Sequence, residues 1–267
     1  MSTAFQTTTS RDTWVNGTNG RLFARTWSPR NDSGRAPIVL LHDSLGSVEL
    51  WRSFPAALCS ATGRQVIAYD RLGFGKSDVN PETLSVDFVA REAETDFAAL
   101  RQQLGIDRFV VFGHSVGGGM AVNCAARFPV DCIAVITESA QAFVEDRTVQ
   151  GIELARELFK DPEQVGRLKK YHADKAQWVL DAWINSWLHP AFASWSLRPV
   201  LPHMTCPALV IHGVGDEYGS TRHPELIGAL AGGVAQLEIM ADTRHVPHHE
   251  REDVVVARVV RFLESLA

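Results

Sequence analysis

Along most of this chain, short apolar runs alternate with longer amphipathic stretches. The runs are Ile38–Leu41, Val66–Tyr69, Phe109–Phe112, Ile133–Ile136, Ala208–Ile211 and Leu237–Met240. A strand that is apolar on both sides is one buried on both faces, as in a parallel sheet covered by helices. Between the runs, Leu84–Leu104, Gly117–Phe128, Pro224–Leu230 and Asp253–Leu266 carry apolar residues at helical spacing. Val254–Val256 would suit a strand in isolation. Glu252 and Asp253 just before it, with apolar residues at 256, 259, 260 and 263, predict a helix instead. Ahead of the alternation, Trp14-Val15 and Arg21–Trp27 flank Asn16-Gly17 and Asn19-Gly20. Asn-Gly pairs supply the positive φ of tight turns, so this segment is expected to be an antiparallel hairpin. The predicted class is α/β, with a mostly parallel, doubly wound sheet.

One interval breaks the pattern. No strand-like run occurs from Ala140 to about Pro202, although helix formers are frequent there. Ordinary crossovers are much shorter, so the expected organisation is a core of residues 1–139 and 203–267 with a helical cap inserted at 140–202. The insertion holds Trp178, Trp183, Trp187 and Trp195, four of the seven tryptophans. They either staple the insertion to the core or, for one or two of them, line a substrate pocket, since such pockets are largely apolar and aromatic.

Composition narrows the class of function. With 267 residues, 45% of them hydrophobic and 21% charged, the chain is ordinary globular material that can bury a sizeable core. Net charge is −5 and the 26 basic residues are scattered, so no nucleic-acid surface is expected. Cys59, Cys124, Cys132 and Cys206 form neither a disulfide framework nor a CxxC pair and read as small buried hydrophobes. Residues Met1 to Ser10 lack a charged start followed by an apolar run, and no apolar stretch approaches the ~20 residues of a membrane span. The expectation is a cytoplasmic protein without membrane association, acting alone or as a homodimer. HExxH, P-loop and GxGxxG patterns are missing, and His42, His114 and His212 stand on separate motifs, so neither metal nor cofactor is expected.

The sharpest chemical signal is Gly113-His114-Ser115-Val116-Gly117. As a bare GxSxG it could be a glycine-rich turn that only packs. Here it directly follows the run Phe109–Phe112 and opens a helix at Gly117-Gly118-Gly119, the strand–sharp turn–helix setting of a nucleophile elbow. That turn projects the Ser115 hydroxyl beyond the carboxyl edge of the sheet, where α/β folds put their sites. Serine is a poor nucleophile until a base takes its proton, imidazole suits that task near neutral pH, and a buried carboxylate then fixes the imidazole tautomer.

At these residues the chain resembles the α/β-hydrolase superfamily along essentially its whole length, in the manner of a small bacterial-type serine hydrolase with a helical cap. The resemblance implies an acid and a histidine after Ser115, in that order. Ala208–Ile211 runs into His212-Gly213-Val214-Gly215-Asp216, similar to the family's acid loop, with Asp216 the candidate and Glu217 and Glu138 the alternatives. Leu237–Met240 leads to Arg244-His245-Val246-Pro247-His248-His249-Glu250, similar to the histidine loop, with His245 in the catalytic position. His248 and His249 are expected in the scaffold or at the surface, and His114 is expected to pack.

The oxyanion donors implied are the backbone N–H groups of Val116 and, in the loop His42-Asp43-Ser44-Leu45-Gly46-Ser47, of Ser44. Two departures stand out: Arg244 and Asp43 replace glycines usual in the family, and Asp43 must point away from a developing oxyanion. Asp70-Arg71-Leu72-Gly73-Phe74-Gly75-Lys76-Ser77 matches a turn that is structural in the family. The expected pocket residues are Asp43, Trp183, Trp187 and Phe143, with Phe159 and Phe192 adding to the cap's apolar character. The leading expectation is a serine hydrolase acting on a small-to-medium ester or lactone. Carbon–carbon cleavage of a vinylogous diketone, other acyl hydrolysis, cofactor-free peroxide chemistry, a hydroxynitrile lyase reaction and a receptor-like binding protein stay open.

Overall fold

The computed structural model describes residues 8–31 and 34–266. Strands β1 (Thr9–Asn16) and β2 (Arg21–Ser28) form the expected hairpin, paired from Thr9↔Ser28 to Asn16↔Arg21. The Gly17 N–H closes its turn on the Gly20 carbonyl at 2.8 Å. Strand β2 also pairs antiparallel with β4 (Val66–Tyr69). All further pairings are parallel, through β3 (Ile38–Leu41), β5 (Phe109–His114), β6 (Cys132–Glu138), β7 (Ala208–Gly213) and β8 (Ala235–Met240). The eight-stranded order is β1-β2-β4-β3-β5-β6-β7-β8.

Alternation along each strand divides the interior into two layers. Phe109 and Val111 face one layer with Met120 and Ala121, while Val110 and Phe112 face the other with Phe54, Val259 and Phe262. Strands β3, β4, β5 and β7 are buried at every position, as their apolar runs require. Strand β8 departs from that expectation. It lies at the sheet edge, paired on one side only, and leaves Leu237 43% and Ile239 39% exposed. Val254–Val256 falls within the helix Glu252–Glu264, as its acidic start implied.

The expected helix Leu84–Leu104 is instead two short helices, Phe88–Arg91 and Asp96–Leu104. Between them Glu92 turns inward and accepts a hydrogen bond from the Tyr69 hydroxyl, while Asp96 Oδ2 accepts the Leu72 N–H at 2.9 Å. Burial and the neighbouring Asp96 charge push the Glu92 carboxyl up to about 8. A carboxyl whose folded-state pKa exceeds its unfolded value binds protons on folding. Its contribution to stability is complete below about 4.5 and is lost as pH rises towards 8. Urea unfolding between pH 5 and 9 is therefore expected to show wild type losing stability relative to Glu92→Gln; a constant difference would contradict the buried, protonated Glu92.

Between β6 and β7 come the helices Asp146–Leu158, Pro162–His172 and Ala176–Trp187, with no strand of the sheet. Asp161 caps the second of these, accepting the Glu163 N–H at 2.9 Å ahead of Pro162 at the first helical position. His172 ties the segment to the sheet edge. Its Nδ1 accepts the Gly75 N–H and its Nε2 donates to the Leu45 carbonyl, both at 2.9 Å. Trp178 is another staple, its indole N–H donating to Glu82 O and its ring meeting Phe74 edge-on at 5.5 Å. All four cysteines are buried. Among the described residues no helix is long and apolar enough to cross a membrane.

Candidate active site

Strand β5 ends at His114 and the helix Val116–Arg127 starts two residues later, so the chain reverses at Ser115. Ser115 holds φ +55°, ψ −124°, a conformation a side chain adopts only when the surroundings impose it. Space imposes it here. A Cβ at Gly113 would lie 2.0 Å from the Gly117 carbonyl oxygen, and one at Gly117 would lie 2.2 Å from the Leu41 oxygen. The turn is pinned by the Ser115 N–H donating to Glu138 O at 2.8 Å.

Loops after β7 and β8 bring the partners. His245 Nδ1 lies 2.8 Å from Asp216 Oδ1, and His245 Nε2 lies 3.1 Å from Ser115 Oγ. A carboxylate only accepts, so Nδ1 carries the proton and Nε2 presents its lone pair to the serine hydroxyl. Asp216 Oδ1 also accepts the N–H groups of Tyr218 and Gly219 at 2.8 and 3.2 Å. Burial alone would raise the Asp216 carboxyl, but its hydrogen bond to His245 and the nearby imidazoles hold it below the ordinary value. The two alternative acids have other partners: Glu217 faces Arg244 at 3.5 Å, and Glu138 Oε2 is bonded to His248 Nδ1. Arg244, where glycine is usual, keeps an ordinary negative φ, and its N–H donates to Glu250 Oε2 at 2.9 Å. His249 donates to Leu50 O at 2.8 Å, a scaffold contact.

The Val116 N–H begins its helix and the Ser44 N–H lies in the loop after β3; neither has a hydrogen-bond acceptor among the described residues. The adjacent Leu45 N–H is taken by Asp43 Oδ1 at 3.1 Å. The Asp43 carboxylate turns its second oxygen to His114 Nδ1, 3.5 Å away. His114 therefore does more than pack: its Nε2 also donates to the His245 carbonyl at 2.8 Å. Three buried groups, His114, Glu138 and His248, place one potential ligand atom each within 4.8 Å of one another. Within it His248 Nδ1 is bonded to Glu138 Oε2 and His114 Nε2 to His245 O, while Glu138 Oε1 has no hydrogen-bond partner among the described residues.

A cavity of about 200 Å3 opens over Ser115. Asp43, Ser44 and His245 line it at the chemical end; Leu45, Ile152, Trp183 and Trp187 form apolar walls. Phe143 is not part of it. Its ring lies tilted against His223 with centroids 4.4 Å apart, beneath the Arg222 guanidinium, and its backbone forms a short β-bridge to Ser196. Trp195 likewise packs, stacked on Phe192 at 5.2 Å. No motif marks two residues that do reach the site: Gln141, whose Oε1 lies 3.3 Å from Ser115 Oγ, and Tyr218, whose ring meets His245 at 4.8 Å. A larger cavity of about 620 Å3 lies at the amino ends of the strands, beside Cys132 and Cys206, at the far end of the sheet from Ser115.

Comparison with known proteins agrees with this architecture. The alpha/beta hydrolase fold family matches residues 36–168. The human 1-acylglycerol-3-phosphate O-acyltransferase ABHD5 is 36% identical over 103 residues, 37% of this chain, and the chain spans only 28% of that protein's length. The human serine hydrolase BPHL is 27% identical over 222 residues, which cover 80% of this chain and 75% of that one. The enol-lactonase from Burkholderia xenovorans LB400 superposes with a TM-score of 0.72 at 21% identity, covering 94% of this chain and all of that one (100%). With its parallel sheet, antiparallel β1–β2 edge and turn at Ser115, the chain belongs to the α/β-hydrolase superfamily.

Proposed function

We propose that the protein is a serine hydrolase that cleaves a small-to-medium carboxylic ester or lactone through an acyl-enzyme. The observation that carries this reading is the hydrogen-bonded line from Asp216 through His245 to Ser115, ending beside two unengaged N–H groups. Ser115 Oγ attacks the carbonyl carbon as His245 Nε2 takes its proton, and Asp216 stabilises the imidazolium. The carbonyl oxygen becomes an oxyanion held by the Val116 and Ser44 N–H groups. Collapse expels the alkoxide, which takes the proton from His245, and leaves the acyl group on Oγ. Water then attacks with His245 as base and releases the acid. A lactone follows the same steps, with its leaving alcohol still tethered to the acyl group.

Substrate size follows from the walls. Helices Asp146–Leu158 and Ala176–Trp187 supply Ile152, Trp183 and Trp187, so residues 140–202 act as a cap that encloses an apolar acyl group. The solved relative described as an enol-lactonase supports extending the reading to lactones. Initial rates on p-nitrophenyl acetate, butyrate, octanoate and palmitate, with Ser115→Ala alongside, test it. Serine-dependent turnover should peak at butyrate or octanoate and fall steeply at palmitate. A maximum at palmitate would remove the enclosed pocket; equal rates with and without Ser115 would remove the mechanism.

A further inference from the structure

We propose that Asp43 and His114 form an ionised strap that holds the oxyanion loop, the nucleophile turn and the histidine loop in register, and that His114 neutralises the carboxylate Asp43 brings to the oxyanion site. The proposal rests on Ser115 and His245 being nucleophile and base. It explains how an aspartate is tolerated beside Ser44, where a bare negative charge would oppose the anionic transition state.

Proton bookkeeping around the ring makes the case. His114 Nε2 lies 2.8 Å from the His245 carbonyl, which only accepts, so Nε2 carries a proton. Nδ1 faces Asp43 Oδ2 at 3.5 Å, and a carboxylate also only accepts, so a favourable contact there requires a second proton. Both nitrogens protonated make an imidazolium. Two histidines nearby show the contrast. His42 donates from Nδ1 to Asp43 O at 2.8 Å and accepts the Arg71 N–H at Nε2. His172 pairs one backbone donor with one backbone acceptor in the same way. Each of those two is satisfied as a neutral ring, and only His114 of the three meets a carboxylate.

The groups facing His114 are Asp43 from the loop after β3, Glu138 at the end of β6, and the rings of His245 and His248, 5.2 and 5.0 Å away, with Trp51 as an apolar wall. Burial works against its charge, but the bond to Asp43 and the charges of Asp43 and Glu138 outweigh it and raise His114 to about 9. Burial likewise works against the Asp43 charge, and the His114 imidazolium holds that carboxyl well below the usual range. Through this pair, residues on three separate loops share one charged contact: Asp43 next to the Ser44 donor, His114 next to Ser115, and the backbone of His245.

The test is a double-mutant cycle on a p-nitrophenyl ester. His114→Gln removes the positive charge and leaves Asp43 uncompensated, so kcat should fall by at least about tenfold with KM changed much less. Adding Asp43→Asn to that variant should restore kcat to within about threefold of Asp43→Asn alone. A double variant as slow as His114→Gln, or slower, would overturn the compensation. Wild-type kcat/KM should also fall above about pH 9, and that limb should shrink to less than about threefold in Asp43→Asn, where no carboxylate is left to neutralise. A profile flat to pH 10 would overturn it as well. NMR titration of the His114 ring, assigned by its loss in His114→Gln, separates this inference from the ester reading. Titration near 9 supports the strap whatever the substrate, and titration below 7 ends it; absence of ester turnover would instead count against the hydrolase reading.

Discussion

Replacing Ser115 with alanine is expected to lower kcat on a short p-nitrophenyl ester by at least about 10^5-fold and to leave Tm within about 2 °C of wild type. Without Oγ no acyl-enzyme forms. What remains is His245, poised 2.8 Å from Asp216, and the two backbone donors, which can activate and stabilise only direct attack by water. Stability should hardly change, because the geometry of the turn is set by Gly113 and Gly117 against neighbouring backbone rather than by the hydroxyl. Differential scanning fluorimetry and initial rates on the same preparation check both halves. A variant that keeps more than about one hundredth of wild-type turnover would remove Ser115 from the chemistry.

The second large effect is expected at Asp216. Its Oδ1 accepts from His245 and from the Tyr218 and Gly219 N–H groups at once. In Asp216→Asn the two backbone donors will hold the amide oxygen at that position, which places the NH2 towards His212 Nε2, a nitrogen that already donates to Gly219 O at 3.1 Å. Two donors then face each other in a buried site, and the imidazolium formed during attack has lost its counter-charge. Whether the amide turns to escape His212 or stays, His245 is worse placed or less basic. The expected loss in kcat is about 10^3- to 10^4-fold. Steady-state rates on butyrate ester across pH 6–9 check it. A loss below about tenfold, together with a large loss in Glu138→Gln, would assign the acid to Glu138 instead.

Much of this was legible in the chain because it depends on short-range rules. Each buried strand is an apolar run, and the turn at Ser115 requires glycines within two residues on either side. The acid and histidine candidates stand directly after strand ends, so the order of strands brings them together. What the sequence does not carry is the orientation of side chains across packed surfaces. Trp178 and Trp183 sit on one helix, yet the first clamps Phe74 and the second faces the cavity, a difference set by how that helix lies on the sheet. Phe143 reads from the sequence as a pocket residue and instead lies tilted against His223. The helix across 84–104 breaks because Glu92 and Asp96 are drawn inward by Tyr69 and Leu72, long-range partners that periodicity ignores. Edge placement exposes half of β8, whose Gln236 and Glu238 set it apart from the buried runs of β3 and β4. Gln141 carries no motif at all; the loop after β6 brings it to Ser115. Asp43 was visible as a departure from the family pattern, but its partner His114 emerges only from the geometry of both ring nitrogens.

The central claim is that Ser115 is the nucleophile activated by His245. Mass spectrometry of the protein after treatment with a fluorophosphonate tests it most directly, because the reagent reacts with an activated serine and needs no knowledge of the natural substrate. One adduct per chain, mapped to the peptide containing Ser115 and formed far more slowly in His245→Ala, is the predicted result. An enzyme that turns over esters while Ser115 stays unlabelled, or labelling that proceeds equally well without His245, would contradict it.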